Sequence, residues 1–359
     1  MLSFRYHVVS LVAVFLALSI GVIVGTTVID RALVDRLEDQ QRILRDDIDD
    51  ARDTNRALSD EMDELRERSD RLASEGGERL VAGTLDDVPV LVIAVRGLEG
   101  EVHDDLMELV GAAGADVRGT VWLSARFALD DADDATAIAG VLGERAELPR
   151  GVLRNLAVIR LAAELRGAAA EEEVTGEGGD EDTAVDADAG AGEEGPPPGG
   201  SLLDELVATG FAEIDLGAEV AADEALVRPG TRVVVLSGVA AMVDDEVLGR
   251  RLALELVVTG RAEPPMGVVA VEPAAPTPEE DEPDDEVEEG EAFVEGLRAA
   301  GNLATRLSTV DNLDEFSGRL ATILALEDLG LGVTGHYGTR PDATRLFPAP
   351  PSTSPNDEG

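Results

Sequence analysis

The side chains able to hold a metal ion or pass a proton are few and scattered. There are three histidines, His7, His103 and His336, and five methionines. Cysteine is absent, which removes thiolate ligands, disulfides and thiolate nucleophiles together. Soft metal ions prefer thiolate or thioether sulfur, and borderline ions accept imidazole. His336 lies in Gly335-His-Tyr-Gly338, where the glycines expose backbone around the ring, and it is the best single metal candidate. A structural turn near the carboxyl terminus explains the same residues. His103, followed by Asp104 and Asp105, is a second candidate, for a harder ion, against the plainer reading of a solvated helix start. His7 sits at the edge of an apolar run, as interfacial residues do. Met62, Met107, Met242 and Met266 are dispersed and read as gap fillers.

Catalytic motifs are equally sparse. Val95-Arg-Gly-Leu-Glu-Gly100 puts glycines where a strand meets a helix, an anion-binding corner in many proteins, but the GxGxxG and P-loop patterns are missing. Ser237-Gly238 ends a strand without the GxSxG elbow. The chain therefore reads as non-enzymatic, with no cofactor. Thr309, Asp311 and Asn312 form a close polar group at a helix start. It is a candidate ligand or partner site at the carboxyl ends of the strands, where open parallel sheets bind. The competing reading makes Asp311 the cap of a helix over Leu313 to Leu329.

The elements that must position these residues are legible from periodicity. Val88 to Val95, Arg232 to Gly238 and Met266 to Val271 are short β-branched runs, which predict strands buried on both faces. Gly114 to Leu123, Gly210 to Ile214 and Leu303 to Val310 add strand candidates. Helical spacing occupies Glu101 to Ala113, Asp130 to Arg145, Val152 to Arg166, Leu202 to Thr209, Asp244 to Val257 and Phe293 to Ala300. The alternation predicts an α/β fold: an open, mostly parallel sheet of about five strands with helices on both faces, over residues 80–347.

Upstream stands a different kind of segment. Val8 to Ile29 carries no charge and no proline, long enough for a transmembrane anchor over residues 1–29. Thr26-Thr27-Val28 is a poor cleavage site, so an uncleaved anchor is favoured over a signal peptide. Arg5 precedes the span and mixed charges follow it, placing the bulk of the chain outside the cytoplasm. Gly21 and Gly25 form a GxxxG pair, a candidate helix-dimerisation face. Residues 30–75 form a stalk in which Leu37, Leu44, Ala51, Leu58, Leu65 and Leu72 recur every seven residues. This predicts a coiled coil and a homodimer or higher oligomer. The second seam position, taken as Leu33, Gln40, Asp47, Thr54, Glu61 and Arg68, is polar, with Ile48 and Met62 one place further round. Gly76-Gly77 is expected to end the helix.

The formal net charge is -46, which disfavours nucleic acid and anionic head groups as partners. Segments 171–200 and 272–291 carry eleven acidic residues each and no basic one. Both are expected to be disordered, as is the tail 348–359.

Several blocks resemble one family. The opening Met1-Leu-Ser-Phe-Arg-Tyr-His-Val-Val-Ser, continuing to Val22, is similar to the start of the actinobacterial MctB family. So are Ala113 to Leu123, Ser308-Thr-Val-Asp-Asn-Leu-Asp314, Gly318 to Leu326 and Gly335-His-Tyr-Gly338. The resemblance runs nearly end to end outside the acidic inserts. It implies copper transport or copper homeostasis, described as a channel that keeps internal copper low, and it implies outer-membrane placement. Copper enters as an implied cargo. SteB-like corynebacterial relatives are described instead as envelope partners of a second protein, SteA, in cell separation. That implies the alternative of a non-enzymatic envelope scaffold with a protein partner. One apolar helix cannot enclose a pore, so conduction would require oligomerisation through the span.

Overall fold

Pro89-Val-Leu-Val-Ile-Ala-Val95 has no polar side chain to turn toward water, so both of its faces must be covered. In the computed structural model all seven residues are buried. The structure describes residues 4–98, 100–170, 201–221, 224–243, 248–258, 265–274 and 292–349. Within the first helix, side-chain surroundings are described at 6–24, 41–42, 44–45, 47–62, 64–65, 68 and from 76 onward.

The chain divides into two units, Met1–Ser69 and Asp70–Gly359. Helix α1 spans Phe4–Val81, so its residues after Ser69 belong to the second unit. Tyr6–Val24 has mean hydropathy 2.6 and lies wholly exposed, long and apolar enough to cross a membrane. Residues 30–75 are helical. The helix does not stop at Gly76-Gly77 but continues to Val81. Its glycine has a packing cause: a Cβ at Gly77 would lie 2.8 Å from the Phe316 ring.

The second unit is built on seven strands rather than the expected five. They are β1 (Pro89–Val95), β2 (Asp116–Leu123), β3 (Ala212–Leu216), β4 (Arg232–Leu236), β5 (Gly267–Val271), β6 (Ser308–Val310) and β7 (His336–Tyr337). Their order is β3-β2-β1-β4-β5-β6-β7. All pairings are parallel except that of the edge strand β3, which runs antiparallel to β2. The strand expected over Leu303 to Val310 is a 3-10 turn, Gly301–Arg306, followed by β6.

Alternate residues of each central strand feed two cores. Leu91, Ile93, Val233, Val235 and Val268 meet helices α3 (Ala132–Leu142), α4 (Arg150–Ala170), α5 (Leu202–Ala208), α6 (Gly249–Val257) and α7 (Phe293–Arg298). Val90, Val92, Val234, Val269 and Val271 meet α2 (Gly100–Ala112), α8 (Phe316–Gly330) and, from the end of α1, Val81. Each fully buried aliphatic side chain contributes about 1.5–3 kcal/mol, which explains how a core with so few aromatics holds the sheet. Segments 171–200 and 275–291, and the tail from 350, lie outside the described residues. Glu272, expected within a disordered segment, is instead buried at 1% exposure.

Candidate functional site

In a sheet of this order the strand sequence reverses direction between β1 and β4, and the crevice at their carboxyl ends is where such folds usually bind ligands. Here the loop after β4 bonds to the loop after β1. The Met242 N–H donates to the Arg96 carbonyl at 2.7 Å. Gly97, with φ of +116°, has no room for a side chain, because a Cβ would lie 2.4 Å from the Ala240 carbonyl oxygen.

The polar constellation lies further along the same edge, at β6 and β7. The pairing Thr309↔His336 brings two candidates together, with Thr309 Oγ1 3.1 Å from His336 Nδ1. Asp311, one residue beyond β6, has a side chain with no exposure. Its carboxylate pairs with Arg298 at 2.9 Å and accepts from the backbone N–H groups of Thr339 at 2.7 Å and Arg340 at 3.3 Å. Gly338, with φ of +128°, gives the turn its backbone; a Cβ there would lie 2.1 Å from Asp311 Oδ1. Asp311 is therefore not a helix cap. Helix α8 starts at Phe316 behind Glu315. Asn312 is 1% exposed and faces that helix start, donating from Nδ2 to Glu315 at 3.1 Å and to Ser317 at 2.8 Å.

Arg298, on α7, is the hub that sequence reasoning missed. Its guanidinium donates to Thr309 Oγ1 at 2.8 Å, the Tyr337 carbonyl at 2.8 Å and Asp342 at 2.9 Å, besides Asp311. Glu272, directly after β5, is the second missed residue. It pairs with Arg340 at 2.9 Å and accepts from the Val294 N–H at the start of α7 at 3.1 Å. A charged residue continuing an apolar strand run was the only sequence signal for it. The group thus locks α7, β6, β7 and the following turn together. Three carboxylates, Asp311, Glu272 and Asp342, and two guanidiniums, Arg298 and Arg340, offset one another where unpaired charge would be costly. Beside it lies a cavity of about 510 Å³, lined by Glu295, Arg340 and Asp342 among others. A larger cavity, about 1080 Å³, opens between α3, α4, α5 and β3, and none of the candidate residues lines it.

Burial lowers the His336 pKa, and the neighbouring Arg298 lowers it further against an opposing effect of Asp342. The ring is therefore held neutral. Tyr337 is pushed up, mainly by burial and then by Asp328. His103 is not a solvated helix residue. It is 9% exposed, with Nε2 2.9 Å from Thr120 Oγ1, Nδ1 3.0 Å from Asp104, and its ring 4.7 Å from that of Trp122. His103 and His336 lie on separate elements, and among the described residues no group of three or more His, Asp or Glu stands together as a metal site. Gly21 faces open space, while the surroundings of Gly25 are outside the described residues.

Residues 1–348, from the apolar helix through the clamp at β7, match the family model described as "Copper transport outer membrane protein, MctB". The chain belongs to the MctB family. It is 29% identical over 350 residues to "Copper transporter MctB" of Mycobacterium tuberculosis (strain H37Rv), covering 94% of this chain and 96% of the relative. It is 31% identical over 357 residues to the Mycobacterium leprae protein of the same name, covering 96% and 99%. The family is one of copper transport rather than of enzymes. MctB membership and the apolar helix fit membrane anchoring.

Proposed function

We propose that this chain is a membrane-anchored copper-homeostasis protein that keeps internal copper low, with Tyr6–Val24 as its single span and the α/β domain outside the cytoplasm. The observation that carries this reading is the extent of the family match: it includes the span and the α/β domain together. Copper is the cargo. The α/β domain acts as a rigid body, stiffened by the Arg298–Asp311 clamp, and ion passage depends on assembly of several spans, because one helix cannot line a pore. The test is deletion of the gene in its host, with growth and cell-associated copper followed across a copper series. Restoration by the full chain, and its loss when Tyr6–Val24 is replaced by a cleavable signal peptide, support the reading. Unchanged copper content on deletion overturns it.

A second reading, an envelope scaffold acting in cell separation through a protein partner, is favoured by the loop contact at the crevice between β1 and β4. The loop after β4 packs on Arg96-Gly97 there, and this reading takes surfaces and the stalk as the means of action. Under this reading deletion leaves copper tolerance intact and produces unseparated cells.

A further inference from the structure

Among the described side chains between 41 and 68, the large apolar ones are Leu44, Ile48, Leu58, Met62 and Leu65. All are between 45% and 59% exposed. With Ala51 and Asn55 they follow one another at steps of four, three, four, three, four and three residues, which places them on a single stripe of α1. That is the spacing of a and d positions in a heptad repeat. The leucines are the d positions. The a positions are Gln41, Ile48, Asn55 and Met62, not the polar set one residue earlier.

We infer that residues 41–65 of α1 pair with the same segment of a second copy, parallel and in register, as a two-stranded coiled coil. Three features select this occupant. The stripe continues the helix that carries the span, so two copies anchored in one membrane leave it with the same polarity. A β-branched residue at a with leucine at d favours two strands, and a lone asparagine at an inner a position meets its own copy only when the strands are parallel and unshifted. Asp47 then stands at g and Arg52 at e, so each faces the opposite charge across the seam. This inference does not depend on copper.

The test uses the full chain in detergent micelles. Because the chain lacks cysteine, each introduced thiol is unique. Single variants Leu58→Cys and Met62→Cys are compared with Glu61→Cys and Asp60→Cys under mild oxidation, with circular dichroism confirming helix content. Disulfide-linked dimer is expected to form about tenfold faster at 58 and 62 than at 60, because only seam positions bring the two Cβ atoms within bonding reach. Faster linking at 61 than at 62, or equal rates at all four positions, overturns the register. Light scattering is expected to show two copies. One copy or three overturns the assembly, and an Asn55→Ile variant that stays at two copies removes Asn55 as its determinant.

Discussion

Valine, leucine, isoleucine and alanine dominate both Tyr6–Val24 and Pro89–Val95, yet the first segment is exposed along its whole length and the second is buried along its whole length. Composition does not separate them. The strand finds neighbours on both sides in β2 and β4 and above and below in two helix layers. The apolar side chains of the helix are exposed among the described residues, as are Leu44, Leu58 and Leu65 further along. Under the proposed reading, lipid covers the first of these helical segments and a second copy covers the leucines that follow.

The sharpest way to break this contrast is to weaken the unit that holds the buried strand. Asp311→Ala leaves the buried Arg298 with Asp342 as its remaining carboxylate partner and should cost about 3–5 kcal/mol. The single tryptophan, Trp122, lies in one of the two cores and reports the loss as a lower urea midpoint. Leu91→Ala, a cavity on the other core face, should cost about 2–5 kcal/mol by the same measurement. Gly97→Ala forces a Cβ against the loop after β4 and should cost about 1–3 kcal/mol. If that loop is displaced instead, Met242, 62% exposed, changes its rate of peroxide oxidation.

A smaller effect comes from His336. Its folded pKa is depressed below the ordinary value of 6.5, so the unfolded chain binds its proton first as the solution is acidified. The stability this group contributes is full above pH 6.5 and is lost as pH falls toward the depressed value. His336→Gln should flatten that part of the urea-midpoint profile. The smallest effect is expected from Leu58→Ala. It should leave the Trp122 transition within about 0.5 kcal/mol of wild type while weakening dimerisation measured by light scattering. A large shift in the Trp122 transition would mean that the stability of the second unit depends on the first.

The elements legible in the sequence were those that carry their own evidence. β1, β4 and β5 are continuous apolar runs, and the family blocks around Ser308 and Gly335 were recognisable. What escaped depended on distant partners. Asp311 looks like a helix cap because a carboxylate before an apolar helical stretch is the local pattern of one, but its actual partners are on α7 and in the turn after β7. β7 is two residues long, too short for any periodicity. Gly76-Gly77 reads as a stop because nothing nearby shows that Phe316 requires the space. The leucine stripe was plain, but a run of leucines alone does not distinguish a from d, so its second seam reads either through Gln40 and Asp47 or through Gln41 and Ile48.

The clamp at Asp311 also bears on how the protein is made. Its partner turn, Thr339 and Arg340, follows β7, the last strand among the described residues, so the clamp cannot close until the other described strands have been synthesised. A product broken off before residue 336 would hold Asp311 and Glu272 without the backbone and side-chain groups that offset them. The turn thus works as a latch: a chain cut before it leaves buried charge uncompensated and is expected to be digested faster than the uncut one.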